Sequence, residues 1–83
     1  MSQSFADDDH VEAYELLRAG EILSLEKILV IARKEVQGHI LEVELEREKE
    51  QIIYELKVLD LKGVVWEIKV NASSGVVIEV EQD

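Results

Sequence analysis

Apolar residues recur along this chain at two periods, three to four residues apart up to Gly38 and two apart after it, so the pattern predicts helices first and strands second. Asp7-Asp8-Asp9 followed by Val11, Ala13, Tyr14, Leu16 and Leu17 reads as an N-capped helix stopped by Gly20. A second helix starts with Ser24 as its N-cap and carries Leu25, Ile28, Leu29, Ala32 and Val36 on one face. Arg33 and Lys34 suit its negative end, and Gly38 its left-handed C′ position. From His39 the period is two. Leu41, Val43 and Leu45 alternate with Glu42, Glu44 and Glu46, then Ile52, Tyr54, Leu56 and Val58, then Val64, Trp66, Ile68 and Val70, and last Val76, Ile78 and Val80.

The turns between these runs predict a register. Leu61-Lys62-Gly63 fits a three-residue hairpin loop with glycine at the left-handed position. Counting outward from it sets Val58 beside Trp66, Leu56 beside Ile68 and Tyr54 beside Val70 on the inner face, with Lys57 beside Glu67 and Glu55 beside Lys69 on the outer one. Ser73-Ser74-Gly75 fits the next loop, setting Asn71 beside Val77 and Lys69 beside Glu79. The hairpin around Glu48-Lys49-Glu50 has no glycine, and its register stays open.

Short connections make every pairing antiparallel, and one apolar sheet face needs a cover. The expected fold is therefore α+β: two N-terminal helices packed on one face of a four-stranded antiparallel meander. At 83 residues there is room for one core, so residues 7–83 form a single domain. Residues 1–6 are expected to be a disordered remnant of a leader or of the expression vector. Ser4-Phe5-Ala6 places small residues where a signal peptidase reads, and this points to a periplasmic or secreted protein whose signal peptide has been removed.

Charge narrows the partners. The net charge is -10, with eight acids against four bases up to residue 38 and eleven against five beyond it, so no basic patch exists to neutralise phosphates. Nucleic acid is excluded on that ground, and no apolar run approaches the roughly 20 residues a spanning helix needs. There is no cysteine, no Gly-rich phosphate loop and no nucleophile elbow. His10 and His39 have no neighbours that would complete a ligand set or a base–nucleophile pair. No catalytic residue, cofactor or metal is therefore expected. Glu42, Glu44 and Glu46 lie two apart on one strand and present spaced points, not a closed oxygen cage. The outer face carries four apolar residues among charges, Ile53, Leu59, Val65 and Val77, and these are the candidate partner-binding residues.

The runs Gly20-Glu21-Ile22-Leu23-Ser24-Leu25-Glu26-Lys27 and Ala32-Arg33-Lys34-Glu35-Val36-Gln37-Gly38 resemble the opening of the PepSY domain family. Glu42-Val43-Glu44-Leu45-Glu46, Tyr54-Glu55-Leu56-Lys57-Val58-Leu59-Asp60, Gly63-Val64-Val65-Trp66-Glu67 and Val70-Asn71-Ala72 with Gly75 resemble its strands and hairpins. The likeness runs from about Glu15 to Val80. Two positions depart from it: Gln37 where the family often has proline, and Asn71 where it often has aspartate.

The resemblance implies a cystatin-like helix-on-sheet domain of the kind found in propeptides of secreted metallopeptidases and in small exported proteins, acting by binding and thought to inhibit or regulate peptidases. The expected function is that of a non-catalytic exported module with a protein partner, a peptidase being the class implied. The alternatives are a self-associating domain that pairs two copies as a homodimer, and an acidic domain that responds to cations.

Overall fold

A computed structural model describes the backbone of residues 3–4 and 9–83, with side chains from residue 14 onward. Two helices, α1 (Asp9–Arg18) and α2 (Leu25–Glu35), precede four long strands, β2 (Gly38–Glu48), β3 (Gln51–Asp60), β4 (Val65–Asn71) and β5 (Val77–Gln82). A two-residue strand, β1 (Gln3–Ser4), comes before them. The sheet is antiparallel with strands in sequence order. The meander of four strands is as expected, and β1 adds to its edge by pairing Gln3 with Arg47 and Ser4 with Glu46, in a segment where the chain pattern predicts no element. Phe5 and Ala6 of the cleavage-like tripeptide, and the acids Asp7 and Asp8, lie outside the described residues.

Helix α2 forms where its caps place it. Ser24 Oγ accepts from the Lys27 amide at 3.4 Å, Glu26 sits in the first turn, and Arg33 and Lys34 in the last. Its end differs from the expectation. Val36 is already extended at φ -138°, so the helix passes straight into β2 and Gly38 is not a left-handed cap. Gly38 is instead required by close approach, because a Cβ there would drive into the Leu59 carbonyl across the ladder.

The inner face makes the core. Ile28 and Ala32 of α2 are fully buried in one cluster with Leu56, Val58, Ile68 and Val70 of the sheet. Each large side chain removed from water there contributes roughly 1.5–3 kcal/mol of transfer free energy. Among the described side chains of α1, Leu16 packs on the cluster, while Tyr14 and Leu17 are exposed. The loop between the helices is tied down by polar contacts. Leu23 N–H donates to the Ala72 carbonyl at 2.7 Å, Tyr54 Oη–H to the Leu23 carbonyl at 3.2 Å, and Ser73 Oγ–H to the Glu21 carbonyl at 2.7 Å.

The β3–β4 register is the predicted one throughout, from Leu59 beside Val65 to Ile53 beside Asn71. Gly63 takes φ 85° in the turn, and Asp60 N–H reaches the Val64 carbonyl at 2.8 Å. The other two pairings contain irregularities that simple alternation does not anticipate. A shift between Ile40 and Glu42 makes Leu41 an extra residue, so Leu41 is exposed and Ile40 takes the core place beside Val58. A second shift, between Lys69 and Val70, sets Val70 beside Val77 instead of Asn71. Val77 therefore turns to the core, and Val76 and Ile78, read as inward from the alternation, are exposed. The first hairpin closes in two residues, Glu48 opposing Gln51, and Lys49 adopts φ 56° where glycine or asparagine would sit with less strain.

Candidate functional site

The outer sheet face has no cover among the described elements, and its side chains sort into three zones. At the end near the Lys49 turn, Ile53, Ile78, Gln51, Lys69, Glu48 and Glu79 line an open groove of about 790 Å³. Carboxylates occupy the middle. Leu59 and Val65, half-buried and opposite each other, form the far end. Six residues of strand separate Ile53 from Leu59, about 20 Å.

The four expected partner-binding residues are thus not one patch. Ile53 is on the outer side but only 3% exposed, so it floors the groove and does not project. Leu59 and Val65 pair as expected, and Val77 lies on the other face because of the shift at Lys69 and Val70. The residue that joins Ile53 is Ile78, 48% exposed and missed by the alternation rule. A Gly-containing turn leading into an edge strand is where such a shift is common, but its position is set by packing.

In the middle zone the predicted neighbours are present, and their charges pair as expected only in part. Lys57 has Glu67 opposite it on β4 and Glu42 opposite it on β2, and its Nζ lies 3.7 Å from Glu42 and 4.0 Å from Asp83. Lys69 lies between Glu55 on β3 and Glu79 on β5 as expected, and its Nζ reaches Glu79 at 3.8 Å and also Glu48 at 3.5 Å. The two-residue turn puts Glu44 directly opposite Glu55, and Glu46 one step along on the same face. The carboxylates of Glu44, Glu46 and Glu55 each bring an oxygen within 4.8 Å of the others. The spaced points expected of one strand are closed by a residue of the next.

Crowding shows in the acidities. Burial, then a hydrogen bond and charge from Glu46, raise the Glu55 carboxyl above its ordinary value against the pull of Lys69. Glu67 is raised by burial and then by the charge of Glu55. Burial alone would lower Lys69, but Glu48, Glu55 and Glu79 outweigh it and hold the ammonium above its usual range.

Two turn residues have local roles. Asp60 Oδ1 accepts from the amides of Lys62 at 2.8 Å and Val64 at 2.9 Å, and Oδ2 accepts from Trp66 Nε1 at 2.8 Å. Those bonds, the indole's first, hold its carboxyl below the ordinary value. Asn71 Oδ1 accepts from Ser73 and Ser74 amides at 2.9 and 3.0 Å, which an aspartate would also do, so the fold loses nothing by the asparagine. His39 is exposed at the start of β2, and the His10 side chain lies outside the described residues.

A family model described as "Peptidase propeptide and YPEB domain", PepSY, matches residues 22–81. That span starts at buried Ile22 and takes in α2 and every long strand. The chain belongs to the PepSY family. No curated protein and no solved structure matches it. Within this PepSY domain the turn at Asp60 and the α2 cap belong to the scaffold, while the groove and the carboxylates stand clear of it. No described helix is long and apolar enough to cross a membrane.

Proposed function

We propose that this PepSY domain is a non-catalytic, exported protein-binding module that restrains or regulates a peptidase through its outer sheet face, on the cystatin-like plan the resemblance implies. The family match over α2 and the four long strands carries this reading, since the family is described by peptidase propeptides. The groove at Ile53 and Ile78 supplies the anchor. It combines an apolar floor with a rim of both charges, as recognition of a peptide segment requires.

The test is inhibition of a purified secreted metallopeptidase acting on a fluorogenic peptide. At roughly 10 μM the chain should slow hydrolysis by half or more, and Ile78→Asp should weaken that effect at least tenfold while keeping the fold, because Ile78 is 48% exposed. Unchanged hydrolysis together with no complex on a sizing column would count against the reading.

Self-association is the second reading, favoured by one observation: Val76, Ile78 and Val80 are all exposed at the open β5 edge. Sedimentation separates the two, since a dimer through this edge is abolished by Ile78→Lys and is indifferent to Leu59→Lys.

A further inference from the structure

The Glu44–Glu46–Glu55 cluster contains one group that surface crowding does not explain. Glu46 is 6% exposed, and its Oε2 is buried with no hydrogen-bond partner. A buried carboxylate oxygen left in that state destabilises the fold unless something satisfies it. Around the Glu46 carboxyl lie oxygens of Glu44 and Glu55, and when ionised all three carboxylates are acceptors only. What complements three converging acceptors is a cation.

From this geometry we infer that Glu44 and Glu46 of β2 and Glu55 of β3 bind one hard divalent cation of calcium size, with water completing its shell. The oxygens lie within 4.8 Å of one another, close enough for one calcium ion, whose opposite oxygen ligands stand about 5 Å apart and whose shell tolerates irregular geometry, to hold all three. Glu44 and Glu55 are half-buried, and a recess of about 80 Å³ lined by Glu42, Glu44, Glu55 and Lys57 opens beside them, with room for water. The nearby lysines do not take its place. Lys57 is engaged by Glu42 and Asp83, Lys69 by Glu48 and Glu79, and among the described residues neither forms an ion pair with the three ligands. The site is independent of the peptidase reading, because it rests only on the chain's own carboxylates.

Calorimetric titration of chelator-treated protein with calcium chloride, at near-neutral pH and constant ionic strength, tests it, with magnesium chloride in parallel. One ion per chain is expected, with a Kd on the order of 0.1–1 mM and a Tm rise of roughly 5 °C at several millimolar calcium. Glu46→Gln and Glu55→Gln should each weaken binding at least tenfold, while Glu26→Gln, which removes an exposed acid on α2, should leave it unchanged. If Glu46→Gln fails to fold, as circular dichroism would show, Glu55→Gln at its half-exposed position decides alone.

Absence of saturable binding overturns the site and leaves a shared proton as what holds the three carboxylates together. Equal binding by wild type and Glu55→Gln also overturns it, as does equal loss in Glu26→Gln, which would mean diffuse screening of a highly charged chain. Tighter binding of magnesium than of calcium overturns the size assignment.

Discussion

The two faces of the sheet are made by the same strands, yet they follow different rules. On the inner face Leu56, Val58, Ile68 and Val70 are wholly out of water under α2, and neighbours are interchangeable in chemistry as long as volume is kept. On the outer face the side chains between those residues are mostly charged, and what matters is which charge reaches which. Lys57 and Lys69 each have a carboxylate opposite on both neighbouring strands, pair with one of the two, Glu42 and Glu79, and leave the other, Glu67 and Glu55, so that Glu55 faces Glu46 and Glu67. The contrast teaches that ladder register predicts apolar contacts directly, but for a lysine flanked by a carboxylate on each side it narrows the ion pair to two candidates without choosing between them. A β-branched or aromatic group meets its opposite neighbour, whereas a lysine's flexible stem samples every carboxylate within reach.

The most direct way to break this contrast is to cut into the inner face. Leu56→Ala empties a site with no exposure on a central strand, and urea denaturation should show a loss of about 2–5 kcal/mol. A loss under 1 kcal/mol would mean that the inner face is not the tight core described. On the outer face the sign should reverse. In chelator, Glu46→Gln replaces a buried charge crowded by two others with a neutral amide that can donate to them, and a gain of about 1 kcal/mol is expected from the same measurement. A loss instead would place Glu46 among the residues the fold depends on as a carboxylate.

The smallest effect is spectroscopic and sits where the two faces meet, at the Asp60 turn. Because the folded carboxyl of Asp60 titrates below its unfolded value, the stabilisation it provides is present above the unfolded pKa and is lost as pH falls through the folded one. The emission of Trp66, the chain's single tryptophan, should hold steady down to the ordinary carboxylate range and shift below it. Asp60→Asn keeps an acceptor for the Lys62 and Val64 amides but turns an N–H₂ toward the indole, so its emission should already be shifted at neutral pH. Identical emission from both proteins would show that the indole bond is not formed in solution.

Much of the scaffold could be read from the residue pattern alone. The change of period at Gly38, the Ser24 cap and the Leu61-Lys62-Gly63 turn specify an α+β chain and the full β3–β4 register, because these signals are local and a glycine-containing turn leaves one way to pair the strands. The family was legible for the same reason: its motifs are mostly those turns and strand runs. The shifts at Leu41 and at Lys69–Val70 were not legible, since each places an extra residue in one strand of a pair and no residue type there announces it. They moved Val77 inward and Ile78 outward, and so changed the membership of the groove. The carboxylate cluster was hidden by the same kind of ignorance. Glu44 and Glu46 share a strand and a face by simple alternation, but only pairing through the Lys49 turn brings Glu55 to them, and a turn without glycine does not declare its length. Side-chain direction along one strand is a local property of the backbone, whereas meeting across strands requires the fold.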